Sequence, residues 1–312
     1  MGFITAIKKI AYATESLIND IGDFISYVFE FPGCAFFDAM KWISDIIGFL
    51  FPLLWLGSIV KGLMSLLAVL VKIPFGIIGG ILAGVIRILA GIFTFHWPLF
   101  ANGFLDIISP VLGLVIIVLG KVIAIVQTVF YIQDFERPLS KVEKMELRKI
   151  FKHSMSLYTL RVITGHSGVF GVSPRAFTLG NTIYLKTNSF FIDLLVHEST
   201  HVWQYQQTGC RYASDAVMAQ WFADDAYNWE KEIKLRDKRL WTEMNKEAQA
   251  EFFQDLWKIG KLCDDENRIL KAGGGAYFEA NEQTTFGKFN IWFNDYTEIA
   301  QEATRTVQSR WL

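Results

Sequence analysis

The spacing of apolar and polar positions changes character along the chain. In residues 1–30, Ile4, Ile7, Ile10, Ala11, Leu17, Ile18 and Ile21 recur every three to four positions, with Lys8, Lys9, Glu15 and Asp20 between them. That period predicts an amphipathic helix. The run after Lys9 meets Glu15 too soon to form the apolar core of a secretory signal, so export by a signal peptide is not expected. Over 46–133 the chain is apolar nearly throughout, broken by the single charges Lys61, Lys72, Arg87, Asp106 and Lys121. Pro52, Pro74, Pro98 and Pro110 punctuate this stretch and predict helices near 53–73, 75–97 and 111–132. The uncharged run 88–105 approaches the ~20 residues a membrane-spanning helix needs. Lone charges in the other runs are tolerated when they snorkel or face a partner helix. Two to four passes fit. Gly76, Gly80 and Gly84 recur every fourth residue, a spacing that permits close helix approach in lipid.

After Gln133 the pattern becomes that of a soluble protein. The segment 134–154 is charged and helical in period, which places a boundary near 134–141 and predicts two domains, 1–133 and 134–312. Two strand-like pieces follow at 160–163 and 182–186, the second alternating like a half-exposed strand. Asn188 or Ser189 offers a helix cap and Gly209 a stop, predicting one helix over 190–208. The segment 241–260 is again helical in period. Beyond it come a Gly-rich turn at 272–276, an aromatic strand or loop and a closing helix, read as packing.

Composition sharpens the contrast, because residues 1–133 hold 14 charges and the remaining 179 residues hold 47. A water-soluble bundle of the first part would need polar outer faces that its sequence does not supply, so membrane insertion is expected. Overall charge is balanced, 30 basic against 31 acidic residues without a basic block, which argues against a nucleic-acid partner. The apolar content excludes a disordered chain. Cys34, Cys210 and Cys263 form no CxxC pair, so neither a disulfide scaffold nor a thiolate metal site is indicated and three buried thiols are expected.

The chemistry is concentrated in the predicted helix 190–208, which contains LLVHESTHVWQYQQTG. His197 and His201 are four apart, so both rings project from one face and can bind a single ion. Glu198 sits about 100° round the helix, where a carboxylate can take a proton from water activated by that ion. This HExxH arrangement predicts a Zn2+ site with Glu198 as general base. Zinc needs a third protein ligand, and no third histidine follows in an HExxHxxGxxH pattern, since positions 204 and 207 are both glutamines. Glu247 on the helix of 241–260 is the best candidate. Glu251, one turn later, is placed to orient a histidine, and Glu243 is a weaker contender.

These residues carry a resemblance. LLVHESTHVWQYQ, the following Gly209 and Tyr212, and NKEAQAEFFQD resemble a zincin metallopeptidase domain that accompanies Vgr-type spike proteins and other secreted bacterial toxins, as does the block from Thr178 through 180–185. Roughly residues 160–257 are covered, and Ala248 departs from the family pattern, which has Gln there. The resemblance implies zinc held by His197, His201 and Glu247, with Glu198 as base and the strand 182–186 as the edge that an extended peptide joins. Tyr212, Tyr227, His166 and Arg211 are candidates for stabilising the oxyanion, while Trp203 and Gln204 read as packing and orienting residues.

The expected architecture is therefore an α-helical, apolar, membrane-inserting N-terminal region followed by an α+β zincin-like metallopeptidase domain. By resemblance, the expected function is that of a bacterial toxin or effector delivered by a contractile injection (type VI-like) secretion system into the membrane of a target cell. It would hydrolyse a peptide or protein substrate, with a lipid bilayer, a chaperone, a spike protein and an immunity protein as partners. Two competing readings are a resident membrane quality-control metalloprotease and a pore-forming or structural membrane protein whose zinc domain is not catalytic.

Overall fold

The computed structural model describes residues 3–48, 50–172, 175–185, 191–222, 225–236, 240–263, 269–279, 286–292 and 294–309. It is mostly helical, with small sheets. Three long helices open the chain: α1 (Phe3–Ile47), α2 (Leu50–Phe93) and α3 (Trp97–Val129). The helices expected at 53–73 and 75–97 are one element. Pro74 and Pro110 lie inside α2 and α3, whereas Pro98 stands in the first turn of α3 behind the cap His96, whose Nδ1 accepts from the Leu99 amide at 3.1 Å. The reason is local. An interior proline forfeits about one backbone hydrogen bond, while ending and restarting a helix orphans four N–H and four C=O groups. In an apolar stretch with few polar side chains to cap those groups, continuing the helix costs less.

By internal contacts the chain forms two compact units. The first comprises Met1–Pro138, Tyr158–Asn188 and Gln204–Asp215, and the second Leu139–Leu157, Ser189–Trp203 and Ala216–Leu312. The boundary expected near 134–141 meets the end of the first long stretch, but two later segments also belong to the helical unit. Polar groups on the helices account for this. Arg211 pairs with Glu15 at 2.7 Å and with Asp106, Arg161 with Asp38 at 3.2 Å, and Asn181 donates to Glu30 at 2.6 Å.

Within this first unit the helices bury many small and polar residues, beside a few large apolar ones such as Phe37, Leu99 and Ile117, and expose most of their large apolar side chains. Buried positions of α1 include Glu15, Ser16, Asn19, Asp23, Ser26 and Glu30. Those of α3 include Gly103, Asp106, Ser109, Gly113, Gly120 and Lys121. Of the five lone charges of the apolar stretch, Lys61, Lys72, Asp106 and Lys121 are buried and Arg87 is half-buried. Lys61 pairs with Glu136 at 2.7 Å, Lys72 with Asp23, and Asp106 with Arg87 at 2.8 Å. Close helix approach follows the expected glycines. A Cβ added at Gly80 or Gly84 would lie 2.5 Å from the carbonyl oxygen of Asp106 or Gly103 on α3. Among the described residues, α2 and α3 are the two helices long and apolar enough to cross a membrane.

The first unit also holds a four-stranded sheet of β1 (Arg137–Pro138), β2 (Arg161–Ile163), β3 (Phe177–Leu179) and β4 (Thr182–Tyr184), in the order β1-β2-β4-β3. β4 runs parallel to β2 and antiparallel to β3, so it is an interior strand. All three of its residues are buried. The half-exposed edge strand expected at 182–186 is corrected accordingly: β1 and β3 are the edges. Alternation of polar and apolar residues misleads here because the Thr182 hydroxyl accepts from Lys61 at 3.4 Å inside the fold. Lys186 and the cap expected at Asn188 or Ser189 lie outside the described residues.

The second unit begins with α4 (Lys141–Phe151), which opens on a reciprocal cap between Ser140 and Glu143. It takes in the first two thirds of α5 (Ile192–Thr208) and the later part of α6 (Arg211–Phe222). It continues with α7 (Trp229–Arg236) and α8 (Lys246–Ile259). Strands β5 (Lys261–Cys263), β6 (Ile269–Ala272) and β7 (Phe286–Lys288) form a small antiparallel sheet in the order β6-β5-β7, and α9 (Thr297–Gln308) closes the chain. An aromatic core of Trp203, Trp241, Phe252, Phe253 and Phe289 fixes α5 and α8. All three cysteines are free and buried.

Candidate metal centre

The second unit builds its centre from two helices. On α5, Leu195, Val196 and Val202 are fully buried, which fixes the rotation of the helix and turns His197 and His201 together toward α8. Glu247 enters from the first turn of α8, just after Asn245 caps that helix by accepting from the Ala248 amide at 3.0 Å. A carboxylate is favoured there by the partial positive charge of the helix N-terminus. His197, His201 and Glu247 are each about 95% or more buried, and each offers one ligand atom within 4.8 Å of the others.

The Nε2 atoms of His197 and His201 lie 3.6 and 3.4 Å from the same oxygen, Oε2 of Glu247. Donors at the corners of a tetrahedron around an ion held at about 2.0–2.1 Å stand about 3.3–3.4 Å apart, so this spacing fits a four-coordinate metal. Two imidazoles and a carboxylate whose donor atoms converge in this way form a ligand set, and the buried His197, His201 and Glu247 group can hold a metal ion.

The groups around the donors fix their orientation. The Nε2 amide of Gln220 on α6 donates to Oε1 of Glu247 at 2.8 Å, leaving Oε2 for the histidines. Gln220 escapes sequence reading because no motif or period links it to a carboxylate 27 residues away. An oxygen of Glu251 lies 3.2 Å from Nδ1 of His197, within ion-pair distance but without the alignment of a hydrogen bond. That is the position expected of a carboxylate orienting a ligand histidine. Glu198 is buried and near enough to both imidazoles to act on each electrostatically.

Of the four oxyanion candidates, Tyr227 is the one beside the site, its half-buried ring stacked on His197 with centroids 6.0 Å apart. The other three belong to the first unit. There the Tyr212 hydroxyl donates to the Thr178 carbonyl at 2.7 Å and accepts from the Gly180 amide at 3.1 Å. Arg211 is held by Glu15, Asp106 and Asp215, and His166 is exposed with its amide on Asp134. Trp203 packs on Trp241, as its reading as a packing residue implies. Glu243 ends a short 3-10 turn and is not part of the ligand group.

Protonation in the metal-free protein follows from this crowding. Burial by itself would lower His197, but the carboxylates of Glu247 and Glu251 outweigh it and push the ring up to about 10. His201 is raised in the same way, against burial, chiefly by Glu247. Burial would raise Glu247, yet the two histidines hold it well below the usual carboxylate range. A metal entering near neutral pH must therefore expel a proton from His197. Apparent metal affinity should rise with pH up to about 10, and binding at pH 7.5 should release protons, read by calorimetry in buffers of different ionisation enthalpy. The sign for the stability of the metal-free protein is opposite. The raised His197 contributes fully below its ordinary value of 6.5, and that contribution is lost as pH rises through about 10. A binding enthalpy that does not change with buffer would contradict the scheme.

Comparison with known protein families, with curated proteins and with solved structures finds no match for this chain.

Proposed function

We propose that the protein is a zinc metallopeptidase fixed at a membrane by the apolar helices of its first unit. The observation that carries the reading is the convergence of His197 Nε2, His201 Nε2 and Glu247 Oε2 with Glu198 beside them on α5. Two histidines and a glutamate with a fourth position left over are the donor set zinc takes in hydrolytic sites. A zinc ion bound there supplies a Lewis acid that polarises the scissile carbonyl and acidifies water. Glu198 then takes the proton of the attacking water and delivers it to the nitrogen of the leaving amine. Tyr227, whose ring stacks on His197, is the candidate of the four that this reading assigns to hydrogen-bond the carbonyl oxygen as charge builds on it. Gln220 fixes Glu247 through its hydrogen bond, and this reading gives the Glu251 carboxylate, at ion-pair distance from Nδ1, the task of orienting His197.

The resemblance over residues 160–257 supports a zincin-like fold around the metal centre. It extends the proposal to a bacterial effector delivered through a contractile injection machine, whose gene would neighbour those of an immunity protein and a spike protein. The membrane component rests on α2 and α3. The test is hydrolysis of a peptide library by the full chain in detergent. Cleavage should disappear on chelation and return with stoichiometric zinc, and cleavage that is indifferent to chelator would refute the metal-dependent mechanism.

A further inference from the structure

Helix α1 is too polar on average to rank with α2 and α3 as an apolar helix, and the placement of its charges explains why that average misleads. Four charged residues fall between Ile10 and Phe31, namely Glu15, Asp20, Asp23 and Glu30. Three of them are buried and Asp20 is half-buried. Glu15 pairs with Arg211 at 2.7 Å, Asp23 pairs with Lys72, and Glu30 accepts from Ser65 at 2.9 Å and from Asn181 at 2.6 Å. The opposite face is apolar. Ile10, Leu17, Ile21, Phe24, Val28 and Phe31 recur at helical spacing in one stripe, and each is between 41% and 65% exposed.

A helix of a soluble protein turns such a stripe toward the core and its carboxylates toward water. Here the order is reversed, and the dimensions say what covers the stripe. From Ile10 to Phe31 the helix rises about 32 Å, close to the ~30 Å hydrocarbon thickness of a bilayer. Lys8 and Lys9 lie just before it; Asp38, Lys41, Asp45 and the exposed Trp42 follow it, the composition of headgroup-level flanks. Leucines 63, 67 and 70 of α2 are exposed too, and α2 runs antiparallel beside α1 with Asp23 against Lys72 and Glu30 against Ser65.

We infer that α1 is a third helix embedded in the same bilayer as α2 and α3, its outward stripe against lipid acyl chains and Glu15, Asp23 and Glu30 turned inward onto their partners. Three antiparallel crossings put the start of α1 and the end of α3 on opposite sides of the membrane. The inference rests on the membrane part of the proposed function and is independent of the metal centre.

The test is spin labelling of the full chain in phosphatidylcholine and phosphatidylglycerol vesicles, comparing collision with oxygen, which concentrates in lipid, and with a water-soluble nickel chelate. Labels are placed through Leu17→Cys and Phe24→Cys on α1, Leu67→Cys on α2, Leu112→Cys on α3 and Val142→Cys on α4. All five positions are exposed, so folding should survive, and the three native thiols are buried. The expected result is that both α1 labels favour oxygen as strongly as those on α2 and α3, with Val142→Cys favouring nickel. If the α1 labels follow Val142→Cys while those on α2 and α3 favour oxygen, the inference is overturned and the membrane reading stands. Shielding of the α1 labels from both reagents would mean that protein, a second copy or another chain, covers the stripe, and this also overturns it. Nickel-accessible labels on α2 and α3 would overturn the membrane reading and the inference together.

Discussion

The Glu198→Gln protein should keep its metal and lose peptide-bond hydrolysis by on the order of 10²–10⁴-fold, the usual contribution of a positioned general base. The substitution is nearly isosteric and removes the one property the mechanism needs, the ability to accept a proton from water. Metal binding should persist because Glu198 is not among the converging donors, which are His197, His201 and Glu247. Steady-state hydrolysis alongside metal content decides the matter. Unchanged hydrolysis with metal bound would remove Glu198 from the chemistry, whereas metal bound without hydrolysis in the wild type would favour a pore-forming or structural role for the protein.

The largest stability effect is expected in the other unit, at Asp23. Lys72 is 1% exposed and is held by Asp23 and by the carbonyl oxygens of Tyr205 and Gln206, each at 3.1 Å. Asp23→Ala leaves an ammonium in a dry interior with only neutral acceptors, a situation that typically costs about 3–5 kcal/mol. The double substitution Asp23→Ala with Lys72→Met removes both charges and should recover most of that loss, because a buried pair contributes far less than either partner left alone suggests. Thermal unfolding in detergent of the wild type, the single and the double variants measures this. Equal losses in the single and double variants would show that the pair is not coupled as the structure has it.

Legibility of the fold in the sequence followed the range of each interaction. His197, Glu198 and His201 are fixed by the pitch of one helix, so four-residue spacing was enough to place both rings on one face. Glu247 is 46 positions beyond His201 and was legible only through the demand for a third ligand on a helical face. Gln220 was invisible, since its role depends on where α6 meets α8. The close approach of α2 and α3 could be read from Gly80 and Gly84 because a missing side chain is itself a packing signal. Helix boundaries differ at Pro74 and Pro110, where proline suggests a stop but the helix runs through because the apolar surroundings offer nothing to cap a helix end. β4 was misread as a half-exposed edge because Thr182 and Tyr184 suggest solvent, and both are buried. The inward placement of Glu15, Asp23 and Glu30 on α1 was hidden for a related reason. In water charged residues mark the outer face of a helix, and here their partners Arg211, Lys72 and Asn181 lie 196, 49 and 151 positions away.

The central claim is one ion held by two imidazoles and a carboxylate, and metal analysis of the purified full chain tests it most directly. Wild-type protein should carry one equivalent of zinc after dialysis. The His201→Ala protein, folded by circular dichroism, should carry none under the same conditions, because losing a direct donor exceeds the ~10–100-fold penalty seen for an orienting neighbour. Stoichiometric zinc retained by His201→Ala, or none bound by the wild type after zinc is supplied, would contradict the account.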